Sequence, residues 1–373
     1  MKIIHVITGL NDGGAEGVLF RLSSHDLRHK HIVISLSSEG KYGPLLRTKG
    51  VEVRALGMSP RRLPFIAFIK LIHLLYRHKP DVVQTWMPHA DLLGGLAARL
   101  AGARSVVWGI RHSNLDRTKS KKITKVIVRV LAKLSWWLPS RIAVCAKRAM
   151  DSHEALGYDR RKMRFIPNGY ALADSTKKWQ GAQALRAEWG IDSSLAVIGT
   201  VARYDPQKDH INLLQSLALL RARKITLVCV LVGTNLNNDN EELVRKIRNL
   251  GLEEIVVLLD KRKDIPSVMG ALDLHVLPSA SEAFPNVVAE AMACETPCVV
   301  TDVGDAAFIV GDTGWVVPPR DSKALADAIE RALEERQNVR WSQRCLSARR
   351  RIEQEFGIDK MIAAYHELWC ESL

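Results

Sequence analysis

Strand patterns alternating with helix patterns, twice over, predict an α/β protein built from two open parallel sheets. Three observations carry this reading. The chain has 373 residues, and at about 100–200 residues per domain that suits two domains. Short apolar runs recur between helical patterns in both halves, as in parallel sheets covered on both faces. The alternation also stops at Pro167-Asn168-Gly169, passes through a polar stretch and begins again.

Taken in order, Lys2–Thr8 is an apolar run closed by Gly9-Leu-Asn-Asp-Gly13-Gly14-Ala-Glu16-Gly17, after which Val18, Leu19, Phe20 and Leu22 recur at helical spacing. That is strand, glycine-rich turn, helix. Further strands are predicted at His31–Leu36, Val51–Leu56, Asp81–Gln84, Ser105–Gly109, Arg141–Cys145 and Arg164–Ile166, with helices between them such as Asp91–Leu100. Ala171–Gln180 is polar and reads as a linker. The second half gives strands at Ala196–Val201, Thr226–Val232, Ile255–Leu259, Leu274–Leu277 and Cys298–Thr301. Its helices are Ile211–Ala222, Glu241–Asn249, Asn286–Cys294, Lys323–Glu335, Arg344–Phe356 and an amphipathic Asp359–Leu368. The boundaries fall at 1–170 for the first domain, 171–190 for the linker and 191–355 for the second domain.

Composition excludes several classes. With 47% hydrophobic and 25% charged residues the chain is not of disordered type. It has no apolar run of about 18 residues to span a bilayer, and its first ten residues read as a strand rather than a secretory signal. Six cysteines fit a reduced, cytoplasmic protein. Cys294 and Cys298 form a lone pair with no second pair to complete a zinc site, and read as packing residues. The charge is uneven. Residues 1–170 carry 30 Lys and Arg against 11 Asp and Glu, a net of +19, and the remainder is −5. A basic half implies an anionic partner: nucleic acid, anionic lipid or a phosphorylated substrate. No zinc, RNP-type or basic-zipper pattern supports nucleic acid.

Ligands of open parallel sheets bind outside the carboxyl ends of the strands, and three segments lie there. In the first, Gly13 and Gly14 allow close backbone approach at a helix start, which favours an anion; the alternative is a tight turn without a ligand. In the second, Gly199-Thr-Val-Ala-Arg203-Tyr-Asp-Pro-Gln-Lys208-Asp-His210 places a guanidinium and an ammonium after a strand. This pair suits phosphate, or else the loop is merely basic and solvated. The third is Pro278-Ser-Ala-Ser-Glu282-Ala-Phe-Pro-Asn286-Val-Val-Ala-Glu290. Glu290 stands in an otherwise apolar helix, so it is expected to be buried and to need partners such as sugar hydroxyls; the alternative partner is a neighbouring arginine. Backbone N–H groups around Phe284–Val287, including Asn286, offer a helix start for phosphate.

These residues resemble the retaining glycosyltransferases of family four, the group 1 glycosyltransferases. The Glu282-x7-Glu290 spacing, the Arg203/Lys208 pair and the Gly13-Gly14-Ala-Glu16 turn carry the resemblance. Ile166-Pro-Asn-Gly169, Lys263-Asp-Ile-Pro266, Pro278-Ser279 and Gly314-Trp-Val-Val-Pro318 agree with it. It implies a GT-B fold: two Rossmann-like domains facing a central cleft, with a last helix, 356–373, crossing back to the first domain. It further implies that Arg203 and Lys208 hold the diphosphate of a nucleotide sugar, Glu290 the ribose and Glu282 the transferred sugar, while Gly13 and Gly14 approach phosphate or sugar. His112, in Val106-Val-Trp-Gly-Ile-Arg-His112, matches the family's histidine near the anomeric carbon, and His89 is a second candidate on the acceptor side. Either is structural instead if its ring only packs. Leu259-Asp260 departs from the family's Leu-Gly, so Asp260 either contacts the base or narrows its pocket.

The implied reaction is glycosyl transfer with retention, by same-face attack. The departing phosphate takes the acceptor proton, and Glu282 as nucleophile is a minor alternative. Cationic donors on the leaving group, worth roughly 3–4 kcal/mol each when well placed, do what a metal does elsewhere. No Asp-x-Asp stands at a suitable strand end, so no catalytic metal and no other cofactor is expected. Segments Arg61–Lys70 and Lys119–Trp137 interleave cations with apolar residues. They read as anionic-membrane surfaces, or as solvated helix faces. The expectation is therefore a peripheral enzyme at the cytoplasmic face of the membrane, acting on a lipid-linked saccharide in cell-surface polysaccharide assembly. The alternatives are a nucleotide-sugar epimerase of the same fold or a basic binding protein without catalysis.

Overall fold

The computed structural model of the chain describes residues 1–58, 64–112, 122–172 and 176–373. They form two compact units, Met1–Gly169 with Ile358–Leu373, and Tyr170–Gly357. The first unit runs β1 (Lys2–Ile7), α1 (Gly14–His25), β2 (Lys30–Ser35), α2 (Tyr42–Thr48), β3 (Glu52–Ala55), α3 (Pro64–His78), β4 (Val82–Trp86), α4 (Pro88–Leu100), β5 (Ser105–Ile110), α5 (Lys122–Leu134), β6 (Arg141–Val144), α6 (Lys147–Ala155) and β7 (Met163–Phe165). The second runs α7 (Thr176–Glu188), β8 (Ala196–Val201), α8 (His210–Ala222), β9 (Leu227–Val232), α9 (Glu241–Asn249), β10 (Val256–Leu258), α10 (Ile265–Ala271), β11 (Leu274–Leu277), α11 (Asn286–Ala293), β12 (Cys298–Thr301), α12 (Ala306–Val310), β13 (Trp315–Val317), α13 (Ser322–Arg336) and α14 (Arg340–Phe356). The last helix, α15 (Ile358–Glu371), belongs to the first unit.

Both sheets are parallel. Their orders are β3-β2-β1-β4-β5-β6-β7 and β10-β9-β8-β11-β12-β13. Parallel strands covered on both faces must be apolar along their length. Accordingly Ile3, Ile4, Val6 and Ile7 of β1, and Leu227–Val232 of β9, are buried. In each order the chain leaves the first strand of the unit to one side and later returns on its other side. The loops after β1 and β4, and after β8 and β11, therefore part company, which opens a crevice at the carboxyl ends of those strands.

One expectation needs correcting, and one strand was not foreseen. The stretch 171–190, expected as a linker, contains helix α7, whose Ala182 and Leu185 are buried with Ala271 at the end of α10. Small and apolar residues three or four apart amid Lys, Gln and Arg gave a stripe too narrow to read as a packed face. Trp315–Val317, quoted above only within a motif, is an edge strand of three residues paired to β12, too short for a periodic signal. The cysteines are all free thiols; Cys298 is buried and Cys294 half-buried.

Helix α15 is held by the core of the first unit. Met361, Tyr365, Leu368 and Trp369 are buried among Ile3, Val33, Val82 and Trp86. The Trp369 indole N–H donates to Gln84 Oε1 at 3.1 Å. Among the described residues no helix is long and apolar enough to cross a membrane.

Candidate active site

In the second unit the crevice is built by the loops that follow β8 and β11. The β8 loop turns on Asp205, whose carboxylate accepts the Gln207 amide at 2.9 Å and Arg203 Nε at 3.1 Å. Burial opposes its charge, yet these donors and nearby Lys208 hold Asp205 below the ordinary carboxylate range. The Asp209 carboxylate then caps α8 from a left-handed backbone, φ 46°. The Ala280 amide donates to the Gln207 carbonyl at 2.8 Å, stapling the β11 loop to the β8 loop. Across that staple Lys208 Nζ donates to Glu282 Oε1 at 2.6 Å, and the Ser279 hydroxyl donates to the same oxygen at 2.8 Å. The two charged side chains are 21% and 12% exposed, so the pair is sheltered but reachable. Gly304, at φ 52°, lies so close that a Cβ there would strike the backbone of Glu282 and Ala283. A third loop thus backs the carboxylate, with the Asp305 amide on the Ala283 carbonyl at 2.8 Å.

Arg203 is exposed, its side chain 63% open to solvent beside Asp205. Helix α11 begins after Pro285 with no side-chain cap, and within its first turn the Val288 amide donates to the Pro285 carbonyl at 3.1 Å, so the start of the helix lies at Asn286 and Val287. The Phe284 ring is buried edge-on against Phe356 at 5.8 Å, so only its backbone can meet a ligand. Asn286 Oδ1 accepts the Tyr170 hydroxyl. Val287, one turn before Ala291, is half-buried. Glu290 is half-buried too, where full burial was expected. Val288, Ala289, Ala291 and Met292 cover the buried face of α11, and the face with Asn286, Val287 and Glu290 is left partly open. Alanine and valine all round a short helix hid that division. Asp260 is exposed at φ 48°, in the left-handed region that favours glycine and that Asp tolerates.

In the first unit Gly13 caps α1 in extended conformation, and Glu16 folds its carboxyl back over it. Burial, with Asp12 adding to it, raises the Glu16 pKa. Gly14 is the first residue of α1. The β4 loop enters α4 through Met87, at φ 75°, and places His89 in its first turn. After β5, His112 is enclosed. Burial drops its pKa to about 3, with His153 adding to the effect, and its Nε2 has no hydrogen-bond partner among the described residues. The two rings meet edge to face at 5.2 Å.

Beside these lie groups to which the sequence assigned no role. Asp91 is buried, accepts the Thr85 hydroxyl and the Gly109 amide (3.3 Å), and is pushed by burial up to about 7. Its signal was the one used for Glu290: a single carboxylate in a helix whose following stretch, Leu92–Ala98, is all Leu, Gly and Ala. Arg111 stacks on Trp86 at 4.4 Å and donates to Asn168 Oδ1 at 2.7 Å and to the Tyr365 hydroxyl. Ser279 could have been found by its place three residues before Glu282.

Comparison with known proteins matches two family models in succession. Residues 12–174 match Glycosyltransferase Family 4, and residues 182–355 match Glycosyl transferases group 1. The chain is 26% identical over 318 residues to a UDP-Gal:alpha-D-GlcNAc-diphosphoundecaprenol alpha-1,3-galactosyltransferase of Escherichia coli, covering 82% of this chain and 79% of that one. It is 24% identical over 340 residues to the lipopolysaccharide core biosynthesis mannosyltransferase LpsB of Rhizobium meliloti, covering 87% and 91%. The crystal structure of Anabaena Alr3699/HepE in complex with UDP and glucose superposes with a TM-score of 0.86 at 24% identity over 100% of both chains. That agreement shows the GT-B fold.

Proposed function

Because the chain belongs to the group 1 glycosyltransferases, related to family 4, we propose that it moves a sugar from a nucleotide-sugar donor to a saccharide acceptor with retained anomeric configuration and without a catalytic metal. The observation that carries this reading is the stapled pair of loops in the second unit, with Lys208 on Glu282 at 2.6 Å and Arg203 on the same loop as Lys208. Departure of a nucleoside diphosphate builds negative charge. Fixed cations and a helix start answer it without reorganising at the moment of reaction. Glu282 and the half-open Glu290 supply acceptors for sugar and ribose hydroxyls, and the amides around Phe284, Asn286 and Val287 receive phosphate. Gly13 and Gly14 admit phosphate or sugar close to the backbone. His112, neutral at every physiological pH, offers its carbonyl or an Nε2 that has no partner among the described residues to the region of the anomeric carbon; as a buried polar atom it gains from such a partner.

The relatives named above act on a diphosphoundecaprenol-linked sugar and in lipopolysaccharide core synthesis. This favours a lipid-linked acceptor in surface polysaccharide or glycolipid assembly at the cytoplasmic face. The test is a panel of nucleotide sugars, read first by melting temperature and then by transfer. A donor at 100 times its Kd adds about 2.7 kcal/mol of stability, and transfer should survive excess chelator. Turnover of donor without any acceptor would favour the epimerase reading. No shift and no transfer with any donor would sink both.

Membrane contact is the second part of the proposal. Positions 59–63 and 113–121 lie outside the described residues, which removes the first cations of each basic segment from view. What remains supports the idea. On α3, Phe65, Ile66, Ile69 and Tyr76 are exposed beside exposed Lys70. On α5, Ile123, Val126 and Val130 are exposed with Arg129 and Lys133, and exposed Trp136 and Trp137 follow. Apolar side chains at a basic surface suit the headgroup region. The protein should float with anionic vesicles at low salt and be released as salt rises; equal failure to bind anionic and neutral vesicles would refute it.

A further inference from the structure

The first unit contains a polar cluster that none of the proposed chemistry uses. Asp26 ends α1, His29 precedes β2, and His366 comes from α15, 337 residues after His29. Three donor atoms face one another: His29 Nδ1 to Asp26 Oδ2 is 3.1 Å, His366 Nε2 to the same oxygen is 2.9 Å, and His29 Nδ1 to His366 Nε2 is 3.1 Å. The side chains are 5%, 1% and 17% exposed for His29, Asp26 and His366.

This triangle has the dimensions of a metal site. An ion with bonds of about 2.0–2.1 Å to nitrogen and oxygen in tetrahedral geometry spaces its donors about 3.3 Å apart. The three edges here come within a few tenths of an ångström of that. Hydrogen bonds alone account for the triangle less well. If both imidazoles give an N–H to the one oxygen, two N–H donors are pressed to 3.1 Å of each other, and that oxygen already has a donor in His31 Nε2 at 3.0 Å.

The surroundings orient the cluster as an outer shell orients a metal ligand. The Trp86 indole N–H has no choice but to donate, here to His5 Nδ1 at 3.2 Å. His5 in its neutral form then carries its proton on Nε2 and donates to His31 Nδ1 at 2.9 Å. His31 in turn carries its proton on Nε2 and donates to Asp26 Oδ2. The Arg28 amide fills Oδ1 at 3.0 Å. Every step points toward the carboxylate, which is left ionised with one oxygen turned to the two remaining imidazoles.

We propose that Asp26, His29 and His366 bind one zinc-class divalent cation, with water in the fourth position on the more open His366 side, and that this ion clips α15 to the first unit. Two imidazole nitrogens and one carboxylate oxygen suit Zn²⁺ among the common divalent ions. The role is structural, and it does not depend on the transfer reaction proposed above.

The test uses the full-length, tag-free protein, stripped with chelator and dialysed. Titration with Zn²⁺ should give one equivalent bound per chain, and free Zn²⁺ at 100 times its Kd should raise the melting temperature by roughly 5–11 °C. Co²⁺ in place of Zn²⁺ should give the visible absorption of a tetrahedral N/O site, without the thiolate charge-transfer band that binding at a cysteine would add. His366→Gln and His29→Gln should lose both the absorption and the zinc-dependent shift, whereas His25→Ala, on an exposed neighbour, should keep them. If a variant fails to fold, the wild-type stoichiometry and Co²⁺ spectrum decide. No bound zinc and no shift in the wild-type chain would show a hydrogen-bond cluster only. Undiminished binding in both glutamine variants would place the metal elsewhere. Either result overturns the assignment.

Discussion

Replacing Lys208 by alanine is expected to lower sugar transfer 10²- to 10³-fold, about 2.7–4 kcal/mol of lost charge stabilisation. The ammonium does two things at once. It is the compact cation at the carboxyl end of β8, and it holds Glu282 at 2.6 Å with the help of Ser279. Alanine removes the first function and takes the charged donor from Glu282 Oε1, where the Ser279 hydroxyl still donates. Lys208→Arg should recover part of the rate, because charge is kept while the planar fork no longer fits a point contact. Arg203→Ala should also be severe, since its exposed guanidinium is available to a diphosphate beyond Asp205. Steady-state kinetics with the donor identified by melting shift provide the measurement. Full activity in either alanine variant would refute the phosphate assignment, whatever the fate of the family reading.

The largest stability effect is expected at Trp369, far from those cations. Its indole is fully buried, lies near His5, His29, His31 and Tyr365, and pairs with Gln84. Trp369→Ala empties that volume, a change that typically costs 3–5 kcal/mol, and leaves a buried amide oxygen short of a donor. For a unit of this size the loss should lower its melting transition by roughly 6–20 °C in calorimetry. An unchanged transition would mean that α15 contributes nothing to the core it lies on.

Much of the architecture was open to reading along the chain. Ala196–Val201, Leu274–Leu277 and Cys298–Thr301 were predicted to the residue, because a strand buried on both faces writes an uninterrupted apolar run. Arg203, Lys208, Glu282 and Glu290 could be picked out because each lies on one short segment beside a strand end or helix start. The helix over 176–188 and the half-open side of α11 could not. Packing of a narrow stripe, or the division of a small-residue helix into two faces, depends on the neighbour it meets.

Local pattern therefore determined most of the elements, their parallel class and which segments carry charge to the strand ends, since burial period and turn chemistry act over a few residues. Tertiary structure alone decided the pairings across long separations: Lys208 with Glu282, Trp369 with Gln84, His366 with Asp26 and His29. Those contacts follow from strand order and from where the last helix lands. Neither is encoded in the periodicity of any one segment, because each is settled by which buried faces fit together when the whole unit closes.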